Sequence, residues 1–408
     1  MSFPTARLLA VACVIVPLLA ADAQAGTVSV SNTESLARAI QRAEPGDDIV
    51  LDDGTYTITR KITATGQGTA QQPITVRAAS RLKAVIQSTT MVAFEVNGEN
   101  WIFRDLDIKG TCNDDATCEH AFHVTGGATG FQLRNNRIAD FNAHLKVNAI
   151  GRTIPSGGLV EGNELFNTHA RQTNSSVAVL NIDHGTDWVV RGNLIYDFRN
   201  AGGNGVSYGA YVKGGAERPI FERNLVICRR FDQESGSRIG LSFGGGGIGP
   251  VYCAPAFDAN VPCEREVIGG IMRNNIIANC PDVGIYLNAA SDSAILFNTL
   301  IRTRGIDFRF AGSTGEARGN LMASEIRTRD RGTFKDGGNM TRMLSGDLEA
   351  MYRDPDLGDL RIKGSVAQIA GKGGKDPRVT DDFCGRRRTP PFDAGALQSS
   401  AGDCPTLR

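Results

Sequence analysis

The sequence predicts an all-β fold: a single-stranded right-handed parallel β-helix (solenoid) with an N-terminal capping helix. Three observations predict it. Short stretches in which an apolar column alternates with a polar one recur at Phe94–Asn97, Phe122–Thr125, Leu145–Asn148, Leu180–Asp183, Ala210–Lys213, Leu241–Gly244, Ile285–Asn288 and Asp307–Phe310. An asparagine preceded by polar residues and followed by an apolar pair recurs at Asn136, Asn163, Asn193, Asn224, Asn275, Asn298 and Asn320. Those intervals are roughly twenty to thirty residues, the range of solenoid repeats, except for a longer one after Asn224. Finally, no regular helical pattern separates the strands, which a doubly wound α/β fold would require. A β-propeller would need a longer repeat with four strands per blade.

Residues 1–25 read as a signal peptide. Arg7 is the lone n-region charge, Leu8–Ala20 is apolar, and Ala23-Gln24-Ala25 supplies the small-residue cleavage pattern. The remainder, 26–408, reads as one domain, with a cap over roughly 26–60, coils to about 345 and an irregular tail after that. Residues 31–43 pattern as an amphipathic helix capped by Ser31, Asn32 or Thr33. A helix there would cover the open end of the stacked core. Pro45-Gly46 ends it, and Ile49-Val50-Leu51 begins a strand. The interval between Asn224 and Asn275 implies an insertion, which carries the Gly-rich run 244–247 and a loop between Cys253 and Cys263.

The 408 residues carry 44 basic and 44 acidic side chains, a balance that argues against bulk binding to nucleic acid. No apolar run after the signal peptide is long enough for a membrane span, and a monomer is expected. Eight cysteines follow residue 25, and an even number in an exported chain implies disulfides. Proximity pairs Cys112–Cys118, Cys253–Cys263 and Cys384–Cys404, leaving Cys228–Cys280.

If the alternating strands stack, their apolar columns fill a core that includes Leu180, Val212, Phe243, Phe308 and Phe310. Their polar columns form two outward rows. One row holds Asn148, Asp183, Lys213, Asn288 and Arg309. The other holds Lys146, Asn181, Tyr211, Tyr286 and Asp307. Glycines flank the strand Ala210–Lys213 on both sides, leaving room for a ligand near the backbone. Asp183 should lie about one strand spacing, ~4.8 Å, from Lys213, where its charge raises the lysine pKa. His123 and His184 read as structural.

Pro-Gly-Asp-Asp-Ile-Val-Leu-Asp-Asp-Gly-Thr-Tyr at 45–56 and Gly-Thr-Ala-Gln-Gln-Pro-Ile-Thr-Val-Arg at 68–77 resemble the opening of the polysaccharide lyases that include chondroitinase B and alginate lyases. Phe94–Gly110 resembles their next coil. Asp382–Arg386 with Asp393–Ala396 resembles a tail common among bacterial β-helix proteins acting on polysaccharides. The resemblance implies β-elimination on an acidic, uronate-containing polysaccharide. It also implies a catalytic Lys on an exposed strand with an Arg some twenty residues later. Val212-Lys213 matches the first element, and Arg230 and Arg238 compete for the second. The family's calcium ligands, acidic residues five and seven positions before the Lys, are here Tyr208 and Val206, so calcium is left open.

Such a lyase needs a base, a proton donor to the leaving oxygen, and a group that neutralises the uronate carboxylate. The expected assignments are Lys213 as base, Arg238 and Tyr211 beside it, and Lys146, Asn148, Asp183, Tyr208, Arg230 and Arg309 as substrate contacts. A uronate epimerase or a non-catalytic carbohydrate-binding solenoid would share the fold. An inverting glycoside hydrolase needs two carboxyl groups ~6.5–9.5 Å apart. Along the rows, Asp183 and Asp307 should be about 19 Å apart, four strand spacings.

Overall fold

The computed structural model describes Met1 and residues 26–245, 253–258 and 260–401. The expected signal peptide, and Cys404 of the expected fourth disulfide, lie outside the described residues.

Each coil carries three short strands, as in Gln132–Arg134, Arg137–Ala139 and Ala143–Asn148, and like strands stack in parallel register from coil to coil. The result is one twelve-stranded and two ten-stranded sheets, wrapped round a single core: a parallel β-helix. The strands are short because alternation can bury only a few side chains before the chain must turn. Inside, aromatic rings stack across coils. Phe94 lies 5.2 Å from Phe122, and Phe122 lies 4.9 Å from Phe103. Each such ring contributes about 1.5–3 kcal/mol by leaving water.

The recurring asparagines form a ladder at the turn between the first two strands of each coil. Asn193 donates through its main-chain N (3.1 Å) and through Nδ2 (3.0 Å) to Oδ1 of Asn224, and its Nδ2 also reaches the Val160 carbonyl at 2.9 Å. The pattern repeats from Asn136 to Asn320 and continues to Asn339, one step beyond the sequence expectation. The left-handed residue is the one before each ladder asparagine, as at Asn135, Gly162, Gly192, Arg223 and Asn274. That conformation turns the chain and aims the asparagine inward, where its amide satisfies turn groups that water cannot reach.

Helix Thr33–Arg42 closes the N-terminal end and buries Leu36 and Ile40. Asn32 is its cap: its Oδ1 accepts from Ser35 N at 2.9 Å, and Ser35 Oγ accepts from Asn32 N at 3.3 Å. The tail is more ordered than expected. Helix Ser345–Met351 and the antiparallel pair Tyr352–Asp354 and Asp359–Ile362 bury Leu348, Met351, Tyr352 and Leu360. These pack on Tyr196, Leu225, Ile227 and Ile276 of one ten-stranded sheet, covering its outer face.

Three of the expected disulfides are present among the described residues: Cys112–Cys118, Cys253–Cys263 and Cys228–Cys280. The last joins adjacent coils with Cα atoms 4.8 Å apart across 52 residues. The insertion therefore loops out and returns, and Asn224 still donates to Asn275 at 3.0 Å.

One expectation about facing is corrected. Phe310 is 38 % exposed, outside the core, because the strand ends at Arg309 and Phe310 takes the left-handed turn position that follows it (φ 67°). Tyr208, expected as a substrate contact, clusters with Tyr211 and Tyr286 outside the core. Alternation breaks at Gly209. A side chain there would point inward at Val226 and Phe198, so Gly209 and Ala210 both face the core and Tyr208 turns out.

Candidate functional site

The other ten-stranded sheet carries the longest strands, Val177–Asp183, Val206–Lys213 and Ser237–Phe243. Both expected outward rows lie on it. Lys146 pairs with Asn181, Asn181 with Tyr211, Tyr211 with Ser242, Ser242 with Tyr286 and Tyr286 with Asp307. Beside them Asp183 pairs with Lys213 and Asn288 with Arg309. Val212, Leu180, Phe243 and Leu287 face the core between them.

Asp183 sits between two lysines. Its Oδ2 accepts from Lys146 Nζ at 2.5 Å, and its Oδ1 lies 3.9 Å from Lys213 Nζ. Lys146 Nζ also donates to Asn181 Oδ1 at 3.0 Å. The carboxylate is therefore engaged mainly with Lys146, and Lys213 keeps the looser contact. Burial draws the Lys146 pKa down, and the nearby Lys213 ammonium adds to this, while Asp183 opposes it. Asp183 Oδ1 is buried and accepts no hydrogen bond. Lys213 Nζ lies 5.3 Å from the centroid of the Tyr211 ring.

Glu266 joins this group, and the sequence reading missed it. It precedes the short strand Val267–Ile268 at the end of the insertion, outside the periodic strands, so no repeat pattern marks it. Its Oε2 accepts from Gly245 N at 2.7 Å, and its side chain is buried near Lys213 and Asp183. Burial pushes its carboxyl up to about 7; Lys213 and Asp183 act on it in opposite directions. Lys146, Lys213, Asp183 and Glu266 thus gather two basic and two acidic side chains on one patch of the sheet.

That burial has a consequence for stability. The folded pKa of Glu266 lies above its unfolded value, so the unfolded state loses its proton first as pH rises. Stability falls between the ordinary carboxylate range and about 7, and the full cost is present above that. Glu266→Gln should therefore be more stable than the parent at pH 8, by up to about 3 kcal/mol, with no gain at pH 4. Urea unfolding at both pH values checks this; an equal difference at each would exclude the ionisation as the cause.

The other expected site residues separate into those near this cluster and those away from it. Asn148 faces the same row, and its Oδ1 lies 2.7 Å from His123 Nε2. Tyr208 and Tyr211 meet edge to face at 5.1 Å and are both buried. The Tyr211 hydroxyl bonds to Ser176, and burial holds its pKa well above the ordinary value, so it is closed off rather than open to a ligand. Arg309 lies three strands beyond Lys213, donating to Asp330 Oδ2 at 2.6 Å and to the Tyr286 hydroxyl at 3.0 Å.

Both candidates for the paired arginine are corrected. Arg238 is fully buried and points away from Lys213. Its guanidinium donates to the carbonyls of Cys228, Asp232 and Glu234, each at 2.8 Å, and lies 3.3 Å from the Asp232 carboxylate. Arg230 stacks on Tyr196 and Phe231, at 4.7 and 5.1 Å, beside the tail-covered sheet. Sequence distance from Lys213 could not separate these orientations from a groove-facing one.

A calcium site of the expected kind does not fit. Val206 carries no oxygen ligand, Tyr208 packs on Tyr211, and among the described residues no three His, Cys, Asp or Glu side chains gather as a metal site. Among the described residues, too, no helix is long and apolar enough to cross a membrane.

Residues 16–212 match the family model described as "Pel9A-like, right handed beta helix region". No curated protein matches the chain. Among solved structures, pectate lyase Pel9A is 14 % identical, with a TM-score of 0.59 over 92 % of this chain and 96 % of that one. A rhamnogalacturonan lyase is also 14 % identical, with a TM-score of 0.55 over 90 % and 92 %. At such identity the likeness establishes the fold: the chain is a right-handed parallel β-helix protein.

Proposed function

We propose that the chain is an exported lyase that cleaves an acidic, uronate-containing polysaccharide by β-elimination, on the outer face of the long-stranded sheet. The observation that carries this reading is the Lys146–Asp183–Lys213 cluster on adjacent outward positions, with Asp183 Oδ1 left without a hydrogen-bond partner. Two lysines on one outward patch suit a polyanionic substrate. The names of the two fold neighbours, a pectate lyase and a rhamnogalacturonan lyase, and the disulfides agree with it.

In this reading Lys213, once its ammonium has released a proton to solvent, takes the proton alpha to the uronate carboxylate. The carbon–hydrogen electron pair forms the new double bond, and the bond to the 4-oxygen breaks. The ammonium formed on Lys213 is the nearest proton source for that leaving oxygen. Lys146, fixed by Asn181 and Asp183, presents its charge to the substrate carboxylate. Purified protein should produce ultraviolet-absorbing unsaturated ends from one of alginate, pectate or a glycosaminoglycan. No such product from any of them, with or without calcium, would sink the lyase reading.

Glu266 supports a second reading. A carboxyl kept protonated near an ionised one is the arrangement of a glycoside hydrolase. Reducing ends without unsaturated product, abolished in Glu266→Gln, would favour it. Asp307, judged too far along the rows to partner Asp183, takes no part: it is fully buried between Arg327 and Arg329 at 2.7 and 2.9 Å.

A further inference from the structure

We propose that Phe310, with the Arg309 guanidinium stacked on it, forms a second carbohydrate subsite that takes a sugar ring of the same acidic polymer; the substrate class rests on the lyase reading above. The left-handed position that follows each strand of this sheet from Val177–Asp183 onward is held by His184, Gly214, Gly244, Ala289, Phe310 and Asp330. A bulky apolar residue is costly in that conformation, and burial would be the ordinary compensation. Phe310 has little of it, being 38 % exposed. What it has is a neighbour that holds its ring ready. The Arg309 guanidinium lies 4.6 Å from the ring centroid and is itself fixed by Asp330 and the Tyr286 hydroxyl.

The ring lines a cavity of about 850 Å³ together with Asn288, Arg265, Arg331 and Glu266. Glu266, which lies near Lys213 and Asp183, also lines this cavity, so cavity and cluster are neighbours on one face. Arg309 stands three strands beyond Lys213, about 14 Å along the stack. A polymer laid along the outward rows from Lys213 therefore passes Asn288 and reaches Phe310. An aromatic face stacks on the apolar face of a sugar ring, and the arginines supply donors to its carboxylate.

The test is Phe310→Gly, assayed with long and short oligomers of whichever polymer the protein cleaves. Glycine suits the left-handed backbone, so the melting temperature should hold or rise. KM for long substrates should rise about 3- to 10-fold, the scale of one aromatic contact, and their advantage over short ones should shrink. Phe310→Tyr keeps the ring and should keep KM within about 2-fold. A lowered melting temperature with unchanged KM would assign Phe310 to folding and overturn the subsite. If no polymer is cleaved, affinity electrophoresis in the same polymers separates the two ideas. Retardation of the parent that Phe310→Gly relieves would leave the subsite standing while the lyase reading falls. No retardation of the parent would overturn the subsite as well.

Discussion

Lys213→Ala should lower kcat on the cleaved polymer by roughly 10²–10⁴-fold, the loss typical of a removed general base. The fold should survive it. Lys213 faces outward at the end of its strand, and the core contacts of Val206–Lys213 come from Ala210 and Val212. Its loose 3.9 Å contact with Asp183 contributes little, since Asp183 retains Lys146 at 2.5 Å. If Lys213 only attracted the polymer, the loss would appear in KM instead and would vary with ionic strength. Lys146→Ala makes the complementary measurement. It strips Asp183 of its close partner and leaves that carboxylate facing Lys213 alone, so its effect on kcat and KM separates the roles of the two lysines. Unchanged kcat in Lys213→Ala, with Lys146→Ala inactive, would transfer the base to Lys146, whose pKa burial already lowers.

The parts of this molecule that repeat were legible in the sequence, and the parts that do not repeat were not. Alternation gave the outward rows residue by residue, because strands that stack in register place like positions side by side. Simple alternation does not extend past Gly209, where a missing Cβ lets two successive residues face the core and turns Tyr208 outward. It failed at Phe310, where apolar character was read as burial although the strand had ended. Ladder asparagines were visible because each one serves a fixed turn. Glu266 was not, since it reaches the site from an insertion whose length carries no period. Arg238 was misassigned because spacing along the chain says nothing about which side of a strand a long side chain takes.

Arg238 supplies the largest expected loss of stability. Its guanidinium serves three carbonyls from a turn that runs from Cys228 to Glu234, and no water can replace it there, since the residue has no exposed surface. Burial, helped by the nearby Arg229 and Arg199 charges and opposed by Asp232, draws its pKa down to about 10. Arg238→Ala leaves the carbonyls unpaired and removes one partner of Asp232, which keeps Arg199 at 2.8 Å. The expected cost is about 3–5 kcal/mol, read as a lowered melting temperature. Arg238→Lys should fall between, because an ammonium retains the charge but not the planar fork that reaches several carbonyls at once. Activity per folded molecule, measured well below the transition, should be preserved in Arg238→Lys. A folded Arg238→Lys protein with parental melting temperature and abolished kcat would return this arginine to the chemistry. The structure predicts the opposite order, because stability fails before any catalytic step can feel a side chain that faces away from Lys213.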